Sequence, residues 1–287
     1  MKVLPFQVPH VTDEAFRFQE DRVAHFYDKF HRHEEVQIMW IKAGEGLLIA
    51  GDYIGRFEPG DVFVLGSNLP HVFRNDEVYY RQESPGAHSF SIYFSPAYLG
   101  EKFWKLNEMA GIYNFLQRAR QGFGVKKQDC GWVGMQMERI QHAAGAERLI
   151  LFLELLNFLS GKAGLNVLGM SGNYPVMSGQ DKRMNDVLEF TFREYHRKIT
   201  LREVADIAHM TPAAFCRYFR QHTRKSYVSF LQEVRVRKAC QLLLRQSMTV
   251  ENVCYAVGFQ NISNFNRIFK RLTSQTPKTY LTRSLWY

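Results

Sequence analysis

Cysteine is scarce in this chain. The four cysteines, Cys130, Cys216, Cys240 and Cys254, are scattered, with no Cys-x-x-Cys pair. That excludes a disulfide framework and a zinc finger and fits a reducing compartment. Long apolar runs are missing too. The best, Leu149 to Leu159, contains Glu154 and Asn157 and is too short to span a bilayer. The opening Met1-Lys2-Val3-Leu4-Pro5 lacks the apolar core of a signal peptide. A soluble, cytoplasmic protein with no membrane partner is therefore expected. No nucleophile–base constellation and no phosphate-cradling glycine loop stands out. No catalytic residue, enzyme activity, cofactor or metal is assigned.

What is present is a surplus of positive charge, placed unevenly. The net charge is +9 over 287 residues, a length that suggests two domains. From Thr211 onward there are 13 Lys/Arg against 2 Asp/Glu, so the remainder is close to neutral. The same region contains a repeat. Phe215-Cys216-Arg217-Tyr218-Phe219-Arg220, with Thr223, is matched by Phe265-Asn266-Arg267-Ile268-Phe269-Lys270, with Thr273. On a helix the paired phenylalanines fall four apart on one face and the basic residues on another. The match extends backwards through Thr200 and Thr249, candidate N-caps, each followed by an acidic residue in the first turn. Leu201, Val204, Ile207 and Ala208 make an apolar face echoed by Val250, Val253, Ala256 and Val257. A short break follows, and Thr211-Pro212 reads as N-cap and first helical residue. Helix, tight turn and helix thus occur twice, about 50 residues apart.

Ala256-x-Gly258-Phe259, Ser263-x-Phe265-x-Arg267-x-Phe269-Lys270 and Thr276-Pro277-x-x-Tyr280 resemble the C-terminal motif of AraC/XylS transcription regulators. Arg224 and Ser274 stand where many members carry glycine. In the first recognition helix, Phe215, Phe219 and Tyr218 are expected in the core, leaving Ala213, Cys216, Arg217 and Arg220 outward. In the second, Phe265, Ile268, Phe269 and Leu272 are expected inside, leaving Ile262, Ser263, Asn266, Arg267 and Lys270. The resemblance implies double-stranded DNA as partner and places Ala213, Cys216, Arg217, Ile262, Ser263, Asn266 and Arg267 near base edges. Arginine suits guanine, asparagine adenine, and an apolar side chain a thymine methyl. Arg220 and Lys270, a turn further on, are expected at phosphates. Between the copies, Ser226 to Leu244 reads as a long helix with Val228, Leu231, Val234, Ala239, Leu242 and Leu243 inside and Arg235, Arg237 and Lys238 outside. It is expected to act as a rigid spacer.

Residues 1–95 read differently. Val36–Ile41, Gly46–Ala50, Tyr53–Phe57, Val62–Leu65 and Ser89–Phe94 are short β-rich runs with Gly/Pro/Asp turns. They argue for a small antiparallel barrel or jelly roll. His31, His33, Glu35 and Gln37 alternate, which on one extended strand would share a face. With His71 in Pro70-His71-x-x-x-Asn75 they resemble the two half-motifs of cupins, whose histidines and glutamate can hold a divalent metal. Gln37 stands where that motif has its glutamate and supplies no anionic charge. A tightly held metal is therefore not expected. A polar effector such as a sugar or sugar acid, or histidines that merely hydrogen-bond within a barrel, are the open readings of His31, His33, Glu35, Gln37 and His71.

Residues 96–163 read as helical, with Leu149, Phe152, Leu153, Leu156 and Leu159 in a broad apolar stripe. That stripe serves either packing against the barrel or a homodimer, which the resemblance also implies. Residues 164–180, rich in glycine and serine, read as a linker, and 181–287 as the DNA-binding domain. The expected fold is α+β: a cupin-like antiparallel barrel with flanking helices, then an all-α domain of two helix-turn-helix motifs. The expected function is sequence-specific regulation of transcription under a small-molecule effector. Two alternatives are a metal-dependent cupin enzyme with an accessory DNA-binding tail and a constitutive DNA-binding protein with an inert barrel.

Overall fold

The computed structural model describes residues 14–161, 163–169, 182–244 and 248–283. The chain divides into two compact units, Met1–Gln180 and Asp181–Tyr287.

The first unit carries nine strands among its described residues: β1 (Arg17–Val23), β2 (Val36–Ala43), β3 (Gly46–Ala50), β4 (Tyr53–Phe57), β5 (Val62–Leu65), β6 (His71–Asn75), β7 (Ala87–Phe94), β8 (Phe123–Val125) and β9 (Leu165–Val167). They form a six-stranded antiparallel sheet, β1-β7-β2-β5-β8-β9, and a three-stranded one, β4-β3-β6. The expected closed barrel is not formed. The segment before β2 bridges to β6 backbone to backbone, His31 to His71, and the chain then bends at Glu34–Glu35 before entering β2. Between the sheets Met39, Ile41, Phe63 and Leu65 meet Leu48, Ala50, Phe57 and Phe73 in one core.

β2 is buried on both faces, which is why it reads as a nearly continuous apolar run. Its other face, Val36 and Ile38, packs with Val62, Val64, Phe90 and Ile92 against helices. These are α1 (Gly100–Trp104), α2 (Ala110–Arg118), α3 (Lys127–His142) and α4 (Gly145–Gly161). The helical segment starts irregularly: Pro96–Leu99 is a 3-10 turn, and Gly100 takes φ +76° as the first residue of the short α1. On α4, Phe152, Leu156 and Leu159 are buried in the same core as the strands, and Leu149 packs against it. Most of the apolar stripe is therefore used within the unit. The expected helical segment also contains β8, and the expected linker begins with β9, paired to β8. The rest of that linker, residues 170–180, lies outside the described residues.

The second unit holds α5 (Lys182–Glu194), α6 (Leu201–Ile207), α7 (Pro212–Thr223), α8 (Tyr227–Leu244), α9 (Val250–Ala256), α10 (Ile262–Thr273) and α11 (Pro277–Arg283). Phe219 is surrounded by Phe215, Tyr227 and Phe230 at ring separations of 5.3–5.7 Å. Phe265, Ile268 and Phe269 occupy the equivalent core with Val253, Val257 and Phe259. Central α8 contributes Val236, Ala239 and Leu243 to that second core.

Two expectations for α8 need correction. Val228 is half exposed rather than inside. Arg235 is not an outward charge: its Nε donates to the carbonyl of Tyr195 at 2.8 Å and its Nη2 to that of Arg197 at 2.6 Å. It also lies over the Phe259 ring. Two carbonyls left over where α5 gives way to the next turn need donors, and a fork-shaped guanidinium supplies both.

Candidate functional site

Two regions gather polar and charged side chains, one in each unit. In the first, a cavity of about 310 Å³ opens between the sheets. His31, Gln37 and His71 line it, together with Gln19, Asp21, Asp28, Ser91 and Tyr93. β2 and β7 are paired with Gln37 opposite Tyr93 and Met39 opposite Ser91, so these side chains share the inter-sheet face. The Gln37 amide donates to Ser91 Oγ at 3.2 Å and Tyr93 Oη at 3.0 Å. No lysine or arginine is among the lining residues. His33 and Glu35 do not line the cavity. They sit buried beside it, with His33 Nε2 3.4 Å from Gln37 Oε1 and Glu35 Oε2 3.6 Å from His33 Nδ1.

The five residues therefore gather in one place, although not on one strand face. His31 pairs backbone to backbone with His71, at 2.8 and 3.0 Å, and Gln37 follows on β2 beyond the bend. Each imidazole is oriented by a carbonyl: His31 Nδ1 donates to Lys29 at 2.8 Å, His33 Nδ1 to Glu35 at 3.0 Å and His71 Nδ1 to Leu69 at 2.7 Å. Burial, reinforced by neighbouring histidines, lowers the His31 pKa to about 3 and that of His71 well below its ordinary value. Burial also lowers that of His33, against the opposing Glu35 carboxylate. All three rings are neutral at pH 7. Asp21 and Asp28 were missed at the sequence level. The signal for Asp21 was the alternation of Gln19, Asp21 and Val23 along a charged edge strand.

In the second unit, α7 starts from Thr211, whose hydroxyl accepts from Ala214 N, with Pro212 at the first helical position. α10 starts from Asn261, whose side chain accepts from Asn264 N. Phe215, Phe219, Phe265, Ile268 and Phe269 are buried, while Tyr218 and Leu272 are half-buried. Ala213, Cys216, Arg217, Arg220, Ser263, Asn266, Arg267 and Lys270 are exposed. Ile262 is the exception: it packs half-buried against the second core and is not an outward side chain. Arg267 Nη2 donates to Asn264 Oδ1 at 2.9 Å, which holds its guanidinium against its own helix. Each helix thus turns an apolar root inward and presents cations outward, Arg217 and Arg220 on α7 and Arg267, Lys270 and Arg271 on α10, an arrangement suited to a negatively charged polymer.

Residues 204–283 match the family model of a helix-turn-helix domain. Over 83 residues the chain is 32% identical to an uncharacterized HTH-type transcriptional regulator, YobQ of Bacillus subtilis, covering 29% of this chain and 34% of that protein. It is 23% identical over 260 residues to the HTH-type transcriptional activator RhaS of Enterobacter sp., covering 86% of this chain and 85% of that one. A DNA-binding transcriptional dual regulator from Escherichia coli K-12 of known structure is 23% identical, covering 39% of this chain and 100% of that chain, with a TM-score of 0.35. The chain spans only 32–34% of the length of the first curated relatives it matches. The C-terminal unit is a helix-turn-helix domain. Among the described residues, no helix is long and apolar enough to cross a membrane.

Proposed function

We propose that the protein is a sequence-specific DNA-binding transcription regulator of the AraC type. The observation that carries this reading is the duplicated helix-turn-helix, with Arg217 and Arg267 exposed at equivalent places on α7 and α10. Its similarity to an HTH-type transcriptional regulator and an HTH-type transcriptional activator supports this reading over an enzyme. Ala213, Cys216, Arg217, Ser263, Asn266 and Arg267 read bases, and Arg220 and Lys270 hold phosphates. Ile262 contributes only the part of its side chain that the core leaves uncovered. Helix α8, 18 residues and thus about 27 Å long, spaces the two recognition helices for successive major grooves of one duplex.

The first unit is read as a cupin-like sensor whose effector occupies the inter-sheet cavity. Carboxylates and imidazole acceptors line that cavity without a compensating lysine or arginine. A neutral, hydroxyl-rich ligand such as a sugar suits this lining. A sugar acid does not, because its carboxylate would be desolvated beside Asp21 and Asp28. The protein acts as a homodimer in this reading, with exposed Met135 on α3 and Ile150 on α4 as the apolar groups available for pairing.

Selection of binding sites from random DNA with the full chain, followed by footprinting, tests the reading. One protomer should protect an asymmetric site spanning two successive major grooves, about 34 Å centre to centre. Protection of a single groove would refute it. Repeating the selection with and without neutral sugars tests the sensor assignment.

A further inference from the structure

Between the two helix-turn-helix copies lies a crevice of about 220 Å³. Ile199 and Leu201 line it from the first copy, Phe259 and Asn264 from the second, and Leu231 and Arg235 from α8. Empty space supplies no packing to hold one copy at a fixed angle to the other. Beside the crevice, the connection 195–198 between α5 and α6 reaches the second copy. Tyr195 packs against the second core, Lys238 lies over its ring, and a Cβ on Gly258 would collide with the carbonyls of Tyr195 and His196. The same connection is tied to the first copy. Arg197 Nε donates to Glu194 on α5 at 2.7 Å and its Nη1 to Glu203 on α6 at 2.9 Å, and Glu203 also closes the capping box of α6. From α8, Arg235 donates to the Tyr195 and Arg197 carbonyls at 2.8 and 2.6 Å, with its guanidinium 5.8 Å from the centre of the Phe259 ring. Burial pushes its pKa down, and among the described residues no carboxylate pairs with it. Its charge is held by the two carbonyls, and hydrogen bonds from a cation are the strong ones.

We propose that Arg235 is a positioning residue: by clasping the 195–198 connection to α8 beside Phe259, it fixes the angle between α7 and α10 and thereby the spacing of the two DNA elements that the protein accepts. The proposal rests on the DNA-binding reading for its consequence and on the clasp alone for its structure. A connecting helix sets the distance between the modules it joins, whereas the tilt of each module about that helix is set by contacts at its side. A pair of recognition helices held at one angle meets the ordering cost during folding and binds tightly only where both grooves arrive in the right phase. A hinged pair meets that cost on the DNA and accepts other phases. The guanidinium suits the task because its planar fork engages two carbonyls at a fixed angle, where an ammonium is a point charge without that geometry. Arg235 lines the crevice, so water can reach the two carbonyls when the side chain is shortened, and a variant is expected to loosen rather than unfold.

The experiment measures binding of the full chain to its selected site and to that site with one base pair inserted between the two elements, which turns the second by about 34° and moves it by about 3.4 Å. The unaltered chain should lose about 100-fold on the insertion, as simultaneous engagement fails. Arg235→Gln should bind the original site about tenfold more weakly for want of preorganisation. It should then lose no more than about threefold on the insertion, with base preference within each element unchanged. Arg235→Lys should fall between the two and carries the test if Arg235→Gln does not fold. Weaker binding to the original site with the full insertion penalty retained would mark a merely structural arginine and overturn the proposal. A second measurement needs no DNA. Spin labels are placed at Cys216 on α7 and, after Asn266→Cys, on α10; both positions are exposed, while Cys130, Cys240 and Cys254 are buried. One narrow distance distribution is expected for the chain with Arg235 and a broader one for each Arg235 variant. Equal widths would overturn the clasp. Broadened distances in a protein that selects no DNA site would uphold the clasp and refute the DNA-binding reading alone.

Discussion

The first helix-turn-helix copy enters α6 through Thr200, whose hydroxyl accepts from Glu203 N while the Glu203 carboxylate accepts from Thr200 N. The second enters α9 through Thr249, which accepts from Asn252 N, and Asn252 takes the place of the reciprocating carboxylate. After the first helix both copies turn through positive φ. The first does so at His209, φ 55°, and the second at Gly258, φ 89°. One more residue then precedes the next N-cap in the second copy, which is why the repeat spacing changes from 49 residues at Thr200/Thr249 to 50 at Phe215/Phe265. Both recognition helices end in a left-handed residue, Arg224 at 57° and Ser274 at 62°. Behind each, a threonine hydroxyl donates to the phenylalanine carbonyl four residues back, Thr223 to Phe219 at 2.8 Å and Thr273 to Phe269 at 2.9 Å.

The backbone path is conserved between the copies more strictly than the residues that produce it. A positive φ can be met by histidine, arginine or serine wherever the Cβ has room. It demands glycine only at Gly258, where a Cβ would run into the carbonyls of Tyr195 and His196.

The sharpest way to break this comparison is to exchange the turn residues. Gly258→Ala should destabilise the chain by about 2–4 kcal/mol, the left-handed cost of about 1–2 kcal/mol plus the backbone collision. His209→Ala, at a position that already carries a Cβ, should change stability by less than about 1 kcal/mol. Urea denaturation of both variants decides; equal losses would show that the two turns are not distinguished by backbone contact.

A second test addresses the outward faces. Arg217→Ala and Arg267→Ala should each cost about 1–3 kcal/mol on the selected site and relax preference at positions about one helical turn of DNA apart. The effect of Arg267→Ala should be accompanied by a partial loss on Asn264→Ala, since Asn264 holds that guanidinium and Ala214 offers Arg217 no such contact. Binding measured across a panel of single-base variants separates this from uniform weakening, which would make both arginines phosphate contacts. The smallest effect is expected at the helix end. Ser274→Gly should stabilise by about 0.5–1 kcal/mol, because glycine takes the left-handed conformation without steric cost. A fall in melting temperature instead would mean that the serine side chain contributes something beyond its conformation.

Much of the second unit was legible beforehand because its signals are local. Cap residues, the four-residue phenylalanine spacing and the surplus of arginine act within one or two helical turns. The same local rule applies to α5, whose Met184, Val187, Leu188 and Thr191 are all buried at helical spacing. Arg235 was misplaced for the opposite reason. On its own helix it sits among outward charges, and only the approach of the Tyr195 and Arg197 carbonyls, about 40 residues away, turns it inward.

In the first unit the strands β2 to β5 were recognisable from branched and aromatic runs between turn residues. β8 and β9, of three residues each, carry too little pattern to be seen. β6, with only Val72 and Phe73 as apolar residues, carries little more. The alternation of His31, His33, Glu35 and Gln37 suggested one shared strand face, but a bend intervenes and the grouping comes from a different source. The sequence by itself determined the duplicated helix-turn-helix, its aromatic roots and its cationic fronts, because periodicity and capping are properties of neighbouring residues. Tertiary structure alone decided that His31 and His33 would meet His71, that Glu35 would stand behind His33, and that Gln37 would face the cavity. Those contacts depend on a backbone bridge spanning 40 residues and on the packing of two sheets, and no local pattern encodes either.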